Sequence, residues 1–313
     1  MQTPLPLARF QHVLVIGASG LVGGAYFARI SARLQRASVR VTGTCHSHPR
    51  AGLVPFELGA GTAAFLDAQR PDLVVLASAM THVDACESAP DEARRRNVDD
   101  VATIADWCRA HEAALVHFST DYVFDGATGP YSEDAATAPL SVYGRSKLAS
   151  EQIVTALPRG LVIRITNVFD IGFDDRNFVH RCVTYLRDRK PLVVPSDQLA
   201  TPAYATWLAD QWVTLCERGA ILAAASPRLL HAGCDELVSR GELARRIAAL
   251  LHADASLIDE RPTSALGQAA ARPLRGGLKN DLWKRLLGVE RLSLDDALAD
   301  CLPRLKALYE SRP

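Results

Sequence analysis

Lysine is scarce in this 313-residue chain, with five residues against thirty arginines, and no acidic residue precedes Glu57. No apolar run approaches the ~20 residues of a membrane-spanning helix, and the N-terminus shows no signal-peptide pattern. A cytoplasmic protein with no membrane partner is therefore expected. The seven cysteines lie at wide spacings without a C-x-x-C pair, a pattern that suits a reducing compartment rather than a disulfide framework or a zinc site. A formal net charge of zero offers no basic surplus for nucleic acid. His111-Glu112 and His117 miss the H-E-x-x-H spacing, which needs histidine at Leu115, and no G-x-S-x-G elbow is present. The other histidines are scattered, so no metal is expected. What remains is an ordinary globular composition, 48% apolar and 22% charged, on a chain long enough for one large or two smaller domains.

His12-Val13-Leu14-Val15-Ile16 reads as a buried strand that runs directly into Gly17-Ala18-Ser19-Gly20-Leu21-Val22-Gly23. Glycines at 17, 20 and 23 form the G-x-x-G-x-x-G version of a dinucleotide-binding turn. The first turns the chain, the second admits a pyrophosphate close to the backbone, and the third lets the next helix pack on the strand. The helix over 21–34 would aim its first amides, at Leu21 and Val22, toward the phosphates. The turn's position between an apolar strand and an amphipathic helix supports this reading.

A second strand is expected at Val39–Thr44. An NAD site ordinarily places a carboxylate near the end of that strand for the ribose 2′-hydroxyl. Here the chain continues as Cys45-His46-Ser47-His48-Pro49-Arg50. The groups of His46, Ser47 and Arg50 suit a 2′-phosphate, which predicts NADP(H) and leaves NAD(H) as the alternative. Further strands are expected at 53–58, 71–79, 114–118 and 161–165, with helices at 63–70 and 90–111. The unbroken apolar character of 71–79 fits a parallel sheet covered on both faces. This alternation predicts a doubly wound α/β (Rossmann) domain over 1–166, with six or seven parallel strands in which 12–16, 72–78 and 114–118 are neighbours. Residues 167–313 are expected to form a smaller substrate-binding domain, with some segments returning to the main sheet. Ligands sit beyond the carboxyl ends of such strands, which places the glycine turn, Ala77-Ser78-Ala79 and Thr120 on one edge.

Tyr143-Gly144-Arg145-Ser146-Lys147 follows. Tyrosine and lysine four residues apart share one helix face, about 6 Å apart along the axis. An ammonium beside a phenol favours the phenolate and makes the tyrosine a better acid near neutral pH. Lysine kept two residues after Arg145, in so arginine-rich a chain, points to a need for a compact ammonium.

The run Thr81-His82-Val83-Asp84-Ala85-Cys86-Glu87, then Asn97, then Phe118-Ser119-Thr120-Asp121-Tyr122-Val123-Phe124-Asp125-Gly126, leads through Pro130-Tyr131 into Tyr143–Leu148. With Asn177-Phe178, Asp197-Gln198, Thr201-Pro202 and Arg272-Pro273, it resembles the extended short-chain dehydrogenase/reductase family and, within it, the dTDP-4-dehydrorhamnose reductases. The resemblance implies NADPH-dependent reduction of a 4-keto group on a nucleotide-linked 6-deoxysugar. It implies Tyr143 as proton donor, Lys147 on the nicotinamide ribose, Thr120 on the substrate carbonyl, and Asp121, Asn167 and Asn177 at the substrate; a homodimer is compatible with it. The family's rhamnose reductases often carry tryptophan where this chain has Asn167. The regulatory subunit of methionine adenosyltransferase is similar to the same subfamily. A catalytically weak cofactor-binding role, or sugar-nucleotide epimerase or dehydratase chemistry, therefore stands as the alternative.

Overall fold

The structure, a computed structural model, describes residues 7–35, 38–223 and 225–311. The first half alternates β1 (His12–Ile16), α1 (Leu21–Leu34), β2 (Arg40–Cys45), β3 (Val54–Pro55), α2 (Thr62–Gln69) and β4 (Leu73–Leu76). It continues with α3 (Val83–Ser88), α4 (Pro90–Arg94), α5 (Asp100–Ala110), β5 (Ala114–Thr120), α6 (Val142–Thr155) and β6 (Gly160–Ile165). The second half holds α7 (Phe178–Arg187), β7 (Leu192–Pro195), β8 (Leu199–Ala200), α8 (Ala205–Glu217), β9 (Leu229–His231) and β10 (Val238–Ser239). It closes with α9 (Arg240–Leu251), β11 (Ile258–Arg261), α10 (Asp281–Leu287) and α11 (Leu294–Glu310).

Seven strands form one parallel sheet in the order β3-β2-β1-β4-β5-β6-β9. Val13 pairs with Val41 on one side and Leu73 on the other, and Leu73 pairs in turn with Ala114. The three expected neighbours are therefore adjacent and parallel. The central strands bury both faces, which is why they read as continuous apolar runs. Val13, Val15 and Val116 join Tyr26 and Ile30 of α1 and Trp212 of α8 in one core layer. Leu14, Ile16 and Val74 join Leu66 of α2, Ile104 and Trp107 of α5, and Val154 of α6 in the other.

Beyond Asn167 a second core forms among α7, α9 and α11, with Val183, Leu186, Ile247, Leu298 and Leu305 buried. Not all of this half belongs there. β9 pairs with β6 at the sheet edge, and Trp212 and Trp283 are buried in the core of the main sheet.

Two expected elements differ. The third strand shrinks to Val54–Pro55 at the sheet edge, where the Phe56 amide still donates to the Cys45 carbonyl and the nitrogen of Pro55 faces away from β2. The helix expected over 90–111 is interrupted by a π-helical turn at Arg95–Asp99 between α4 and α5. The wide turn brings the buried Asn97 amide inward, where it does the work described below.

The glycine turn depends on close contact. Gly17 has φ +86°, and a Cβ on Gly23 would stand 2.2 Å from the Gly17 carbonyl oxygen and 3.1 Å from the Ala77 Cβ. Gly23→Ala is therefore expected to destabilise the protein by about 1–3 kcal/mol, the usual cost of overpacking. Gly61→Ala, where no atom lies within 4 Å of the added carbon, serves as the control. Urea midpoints check this: a clear drop for the first variant and little change for the second.

Candidate active site

The carboxyl ends of β4, β5 and β6, the start of α1 and the N-terminal half of α6 open onto a cavity of about 670 Å³. Its walls include Leu21, Val22, Ala77, Ser78 and Ala79 on one side and Thr120, Tyr143 and Lys147 on the other. Ser78 and Ala79 also line an adjoining narrow cleft with Gly17, Thr44, His46, Glu57 and Leu58. Ser19 and Gly20 stand in the turn between them. Gly20 is the N-cap of α1 and supplies no side-chain cap, so amides at the helix start are left to a ligand. The Gly17 amide donates to Thr44 Oγ1 at 3.2 Å, which holds the turn against the end of β2.

These features fit a dinucleotide, with its phosphates on the turn and its two ends in the two cavities. Ser47 and Arg50 line neither cavity. Ser47 Oγ lies 2.9 Å from His48 Nδ1, and the Arg50 guanidinium donates to the Phe173 carbonyl. Glu57, which follows β3 rather than β2, reaches the cleft 3.4 Å from His46 Nε2.

Ser141 caps α6 by accepting the Gly144 amide. Gly144 is needed because a Cβ there would stand 2.2 Å from the Tyr122 carbonyl oxygen. The close approach seats Tyr143 among Cys86, Ala93, Met80 and Tyr122, with the Tyr122 and Tyr143 rings edge to face at 5.6 Å. Asn97 then locks the helix to the cavity wall. Its amide nitrogen donates to Ser146 Oγ at 3.0 Å and to the Met80 carbonyl, while its oxygen accepts the Met80 amide at 2.8 Å.

Burial dominates the titration of both helix residues. It pushes the Tyr143 phenol well above its ordinary value, and a hydrogen bond with Thr120 opposes the rise. It pushes the Lys147 ammonium down to about 7. The expectation that Lys147 lowers the tyrosine pKa is corrected accordingly, because desolvation outweighs it in this pocket. Asp121 also differs from expectation. Its carboxylate accepts the Gly277 amide at 3.0 Å and a long bond from Thr120 Oγ1 at 3.3 Å, and it does not line the cavity, where Tyr122 stands instead.

The second half closes the far wall with Asn167, Asn177, Phe178, Arg176, Arg240 and Arg272. Asn167 adopts φ +42°, and its Oδ1 lies 3.5 Å from the Arg240 guanidinium. Asn177 lines the cavity, but its amide is already used: it caps α7 and donates to the Asp170 and Asp174 carbonyls. Arg240 lies over the Phe178 ring at 5.6 Å and, among the described residues, makes no carboxylate pair.

The family model described as RmlD substrate binding domain matches residues 11–307. The chain belongs to this family. It is 32% identical over 286 residues to a dTDP-4-dehydrorhamnose reductase of Streptomyces griseus, covering 90% of this chain and 89% of the relative. A dTDP-4-keto-6-deoxy-D-glucose reductase of Streptomyces niveus is 31% identical over 247 residues, 78% of this chain and 83% of that one. Among solved structures, a hypothetical dTDP-4-dehydrorhamnose reductase of Sulfolobus tokodaii superposes with TM-score 0.78 at 26% identity, covering 91% of this chain and 98% of that chain. The Bacillus anthracis dTDP-4-dehydrorhamnose reductase, solved in complex with NADP, shares the fold with TM-score 0.79 at 23% identity, covering 94% and 99%.

In this RmlD-family member several site residues carried no local signal. Arg240 and Arg176 reach the cavity, and Glu57 the adjoining cleft, only through tertiary folding, whereas Tyr122 follows Thr120 in a run that carries the resemblance. The Asp84–Arg272 pair could have been sought among the motif residues, since both lie in runs that carry the resemblance. Asp84 binds Arg272 at 2.7 and 3.0 Å and accepts the Ala270 amide, joining α3 to the 270–272 segment. The Arg272 hydrogen bond chiefly holds its carboxyl down at about 2. A carboxylate with a depressed folded-state pKa adds stability above its unfolded value, near ~3.9, and loses it as pH falls through the folded value. Asp84→Asn should therefore be destabilising at neutral pH. The gap from wild type should begin to close below about pH 4 and vanish near pH 2, as read from urea midpoints along a pH series.

Proposed function

We propose that this protein reduces the 4-keto group of a nucleotide-linked 6-deoxysugar with NADPH. The observation that carries the reading is the charge state of the cavity. Asp84 and Asp174 line it, and each is paired with an arginine, Arg272 and Arg176, at 2.7 and 2.6 Å. Epimerisation or dehydration needs a carboxylate or other base free to take a carbon-bound proton beside the hydride site. Reduction needs only an acid at the carbonyl oxygen, and Tyr143 with Thr120 offers that. The names of the relatives, reductases of dTDP-linked keto-sugars, support the same reading.

The nicotinamide cofactor, when bound, supplies the hydride. As charge gathers on the carbonyl oxygen, Tyr143 donates its proton there and the Thr120 hydroxyl gives a second hydrogen bond. Lys147 orients the nicotinamide ribose and adds positive charge that favours the departing phenolate. Gly17, Ser19, Gly20, Leu21 and Val22 receive the pyrophosphate and His46 the adenosine end; Ser47 and Arg50, on the same loop but outside both cavities, would leave His48 and the Phe173 carbonyl to meet a 2′-phosphate, the contact that favours NADP(H) over NAD(H). Arg240, with no carboxylate partner among the described residues, suits the diphosphate of the sugar nucleotide. Residues 1–166 thus serve the cofactor and 167–313 chiefly the substrate, in a cytoplasmic protein that can pair as a homodimer.

The test is consumption of NADPH absorbance against a panel of dTDP- and GDP-linked 4-keto-6-deoxysugars. Turnover of at least one is expected. No turnover of any, alongside tight co-elution with another protein, would support a regulatory role instead. Tyr143→Phe keeps the ring and removes only the proton, so it should bind NADPH normally and lose about 10²–10⁴-fold in kcat. A wild-type rate in that variant would reduce the tyrosine to a packing residue.

A further inference from the structure

Lys147 is almost fully buried, 2% exposed, yet no carboxylate among the described residues lies within ion-pairing distance of its Nζ. Glu151, one turn further along α6, is committed to Arg164 by bonds of 2.8 and 2.6 Å. The close partner of Nζ is instead His117 Nε2 at 2.9 Å, on a strand otherwise composed of small, apolar and hydroxyl residues. His117 is 1% exposed and lines the same cavity. An ammonium can only donate, so when Lys147 is charged Nε2 presents its lone pair to it and the imidazole is the neutral form protonated on Nδ1, an atom with no hydrogen-bond partner among the described residues. Ser150 Oγ stands 3.0 Å from the same Nε2 and 2.7 Å from the Lys147 carbonyl oxygen, fixing the ring against α6.

We propose that His117 is a positioning residue: as a neutral imidazole it accepts a hydrogen bond from Lys147, aiming that lysine into the cavity and favouring its protonated form. The importance of the aim rests on the reductase reading, whereas the hydrogen bond itself does not. A hydrogen bond to the charged form favours that form, and here it opposes the burial that drives the ammonium toward neutrality. The imidazole is itself kept uncharged by burial and by the neighbouring ammonium. The other titratable groups around the pair are occupied or neutral. Tyr143 and Tyr122 are phenols held protonated by burial. Cys86 of α3 is a buried thiol pushed up in the same way. Asp121 is bonded to the Gly277 amide, Asp84 to Arg272, and Glu151 to Arg164, whose guanidinium also reaches His231 of β9 at 3.2 Å.

With only five lysines in the chain, ¹³C labelling at the lysine ε-carbon gives a spectrum in which Lys147 can be assigned by its loss in Lys147→Met. In cofactor-free wild-type protein its signal should titrate near 7. His117→Phe keeps a ring and removes the acceptor, and should lower the midpoint by about one pH unit or more. His117→Gln, which retains an acceptor, should recover much of the shift. Activity, where measured, should follow: the alkaline loss of kcat/KM moves to lower pH in His117→Phe, because Lys147 loses its proton earlier. A merely structural role would lower stability and leave the midpoint in place, and an unchanged midpoint overturns the proposal. ¹⁵N-histidine spectra of the wild type decide independently of any variant's folding: Nδ1–H with bare Nε2 is expected, and a proton on Nε2 at neutral pH contradicts it. Because both measurements use cofactor-free protein, a chain that reduces no sugar nucleotide would still report on this bond.

Discussion

Parallel pairing is the constraint from which the rest of the structure follows. Each strand of the sheet must be re-entered from the same end, so every crossover that leaves a carboxyl end contributes a loop to one edge. The glycine turn after β1, the Ala77–Ala79 segment after β4 and Thr120 at the end of β5 meet there without any direct attraction between them. The sheet order places β1, β4 and β5 side by side, so the glycine turn and Thr120 are brought to one edge by topology. The π-helical turn at Arg95–Asp99 adds a second fixing point, since Asn97 ties the start of α6 to Met80. The helix that carries Tyr143 is thereby tied by a hydrogen bond to the crossover between β4 and β5.

Charge is distributed with the same economy. Arginine serves nearly everywhere a cation is needed, pairing with Asp84, Asp174 and Glu151 in or beside the cavity. Lysine stands where a compact ammonium meets a single imidazole, a geometry the broad guanidinium fork does not match. Both carboxylates that line the cavity among the described residues are paired with arginine, which leaves Tyr143 and Thr120 as hydrogen-bond donors beside no unpaired carboxylate. That suits protonation of a carbonyl oxygen and discourages abstraction of a proton from carbon.

Much of the architecture was legible in the chain because its signals are local. An apolar strand ending in spaced glycines and a Tyr–Lys pair on one helix face need only neighbouring residues to be read. Thr120 and Ala77–Ala79 followed from the strands that carry them. The failures share one cause. Asp121 looked like a pocket residue, yet its carboxylate is taken by an amide 156 residues away. Asn177 is spent on capping α7, and Arg240 enters the cavity from a helix with no motif to mark it. The tyrosine pKa was misjudged because spacing reports the nearby charge but not the burial that outweighs it. His117 fails the metal-site spacing and stands inside an apolar strand, where a lone histidine is most often a core residue.

The claim at the centre of this account is that hydride reaches a sugar carbonyl carbon in a cavity where Tyr143 holds the balancing proton. NADPH carrying deuterium at its transferable position, incubated with the protein and a dTDP-linked 4-keto-6-deoxysugar, tests it most directly. The account predicts one deuterium bound at C4 of the product and a solvent-derived proton on the new hydroxyl. Deuterium at another carbon, or exchange of ring protons with solvent and no deuterium transfer, would contradict it.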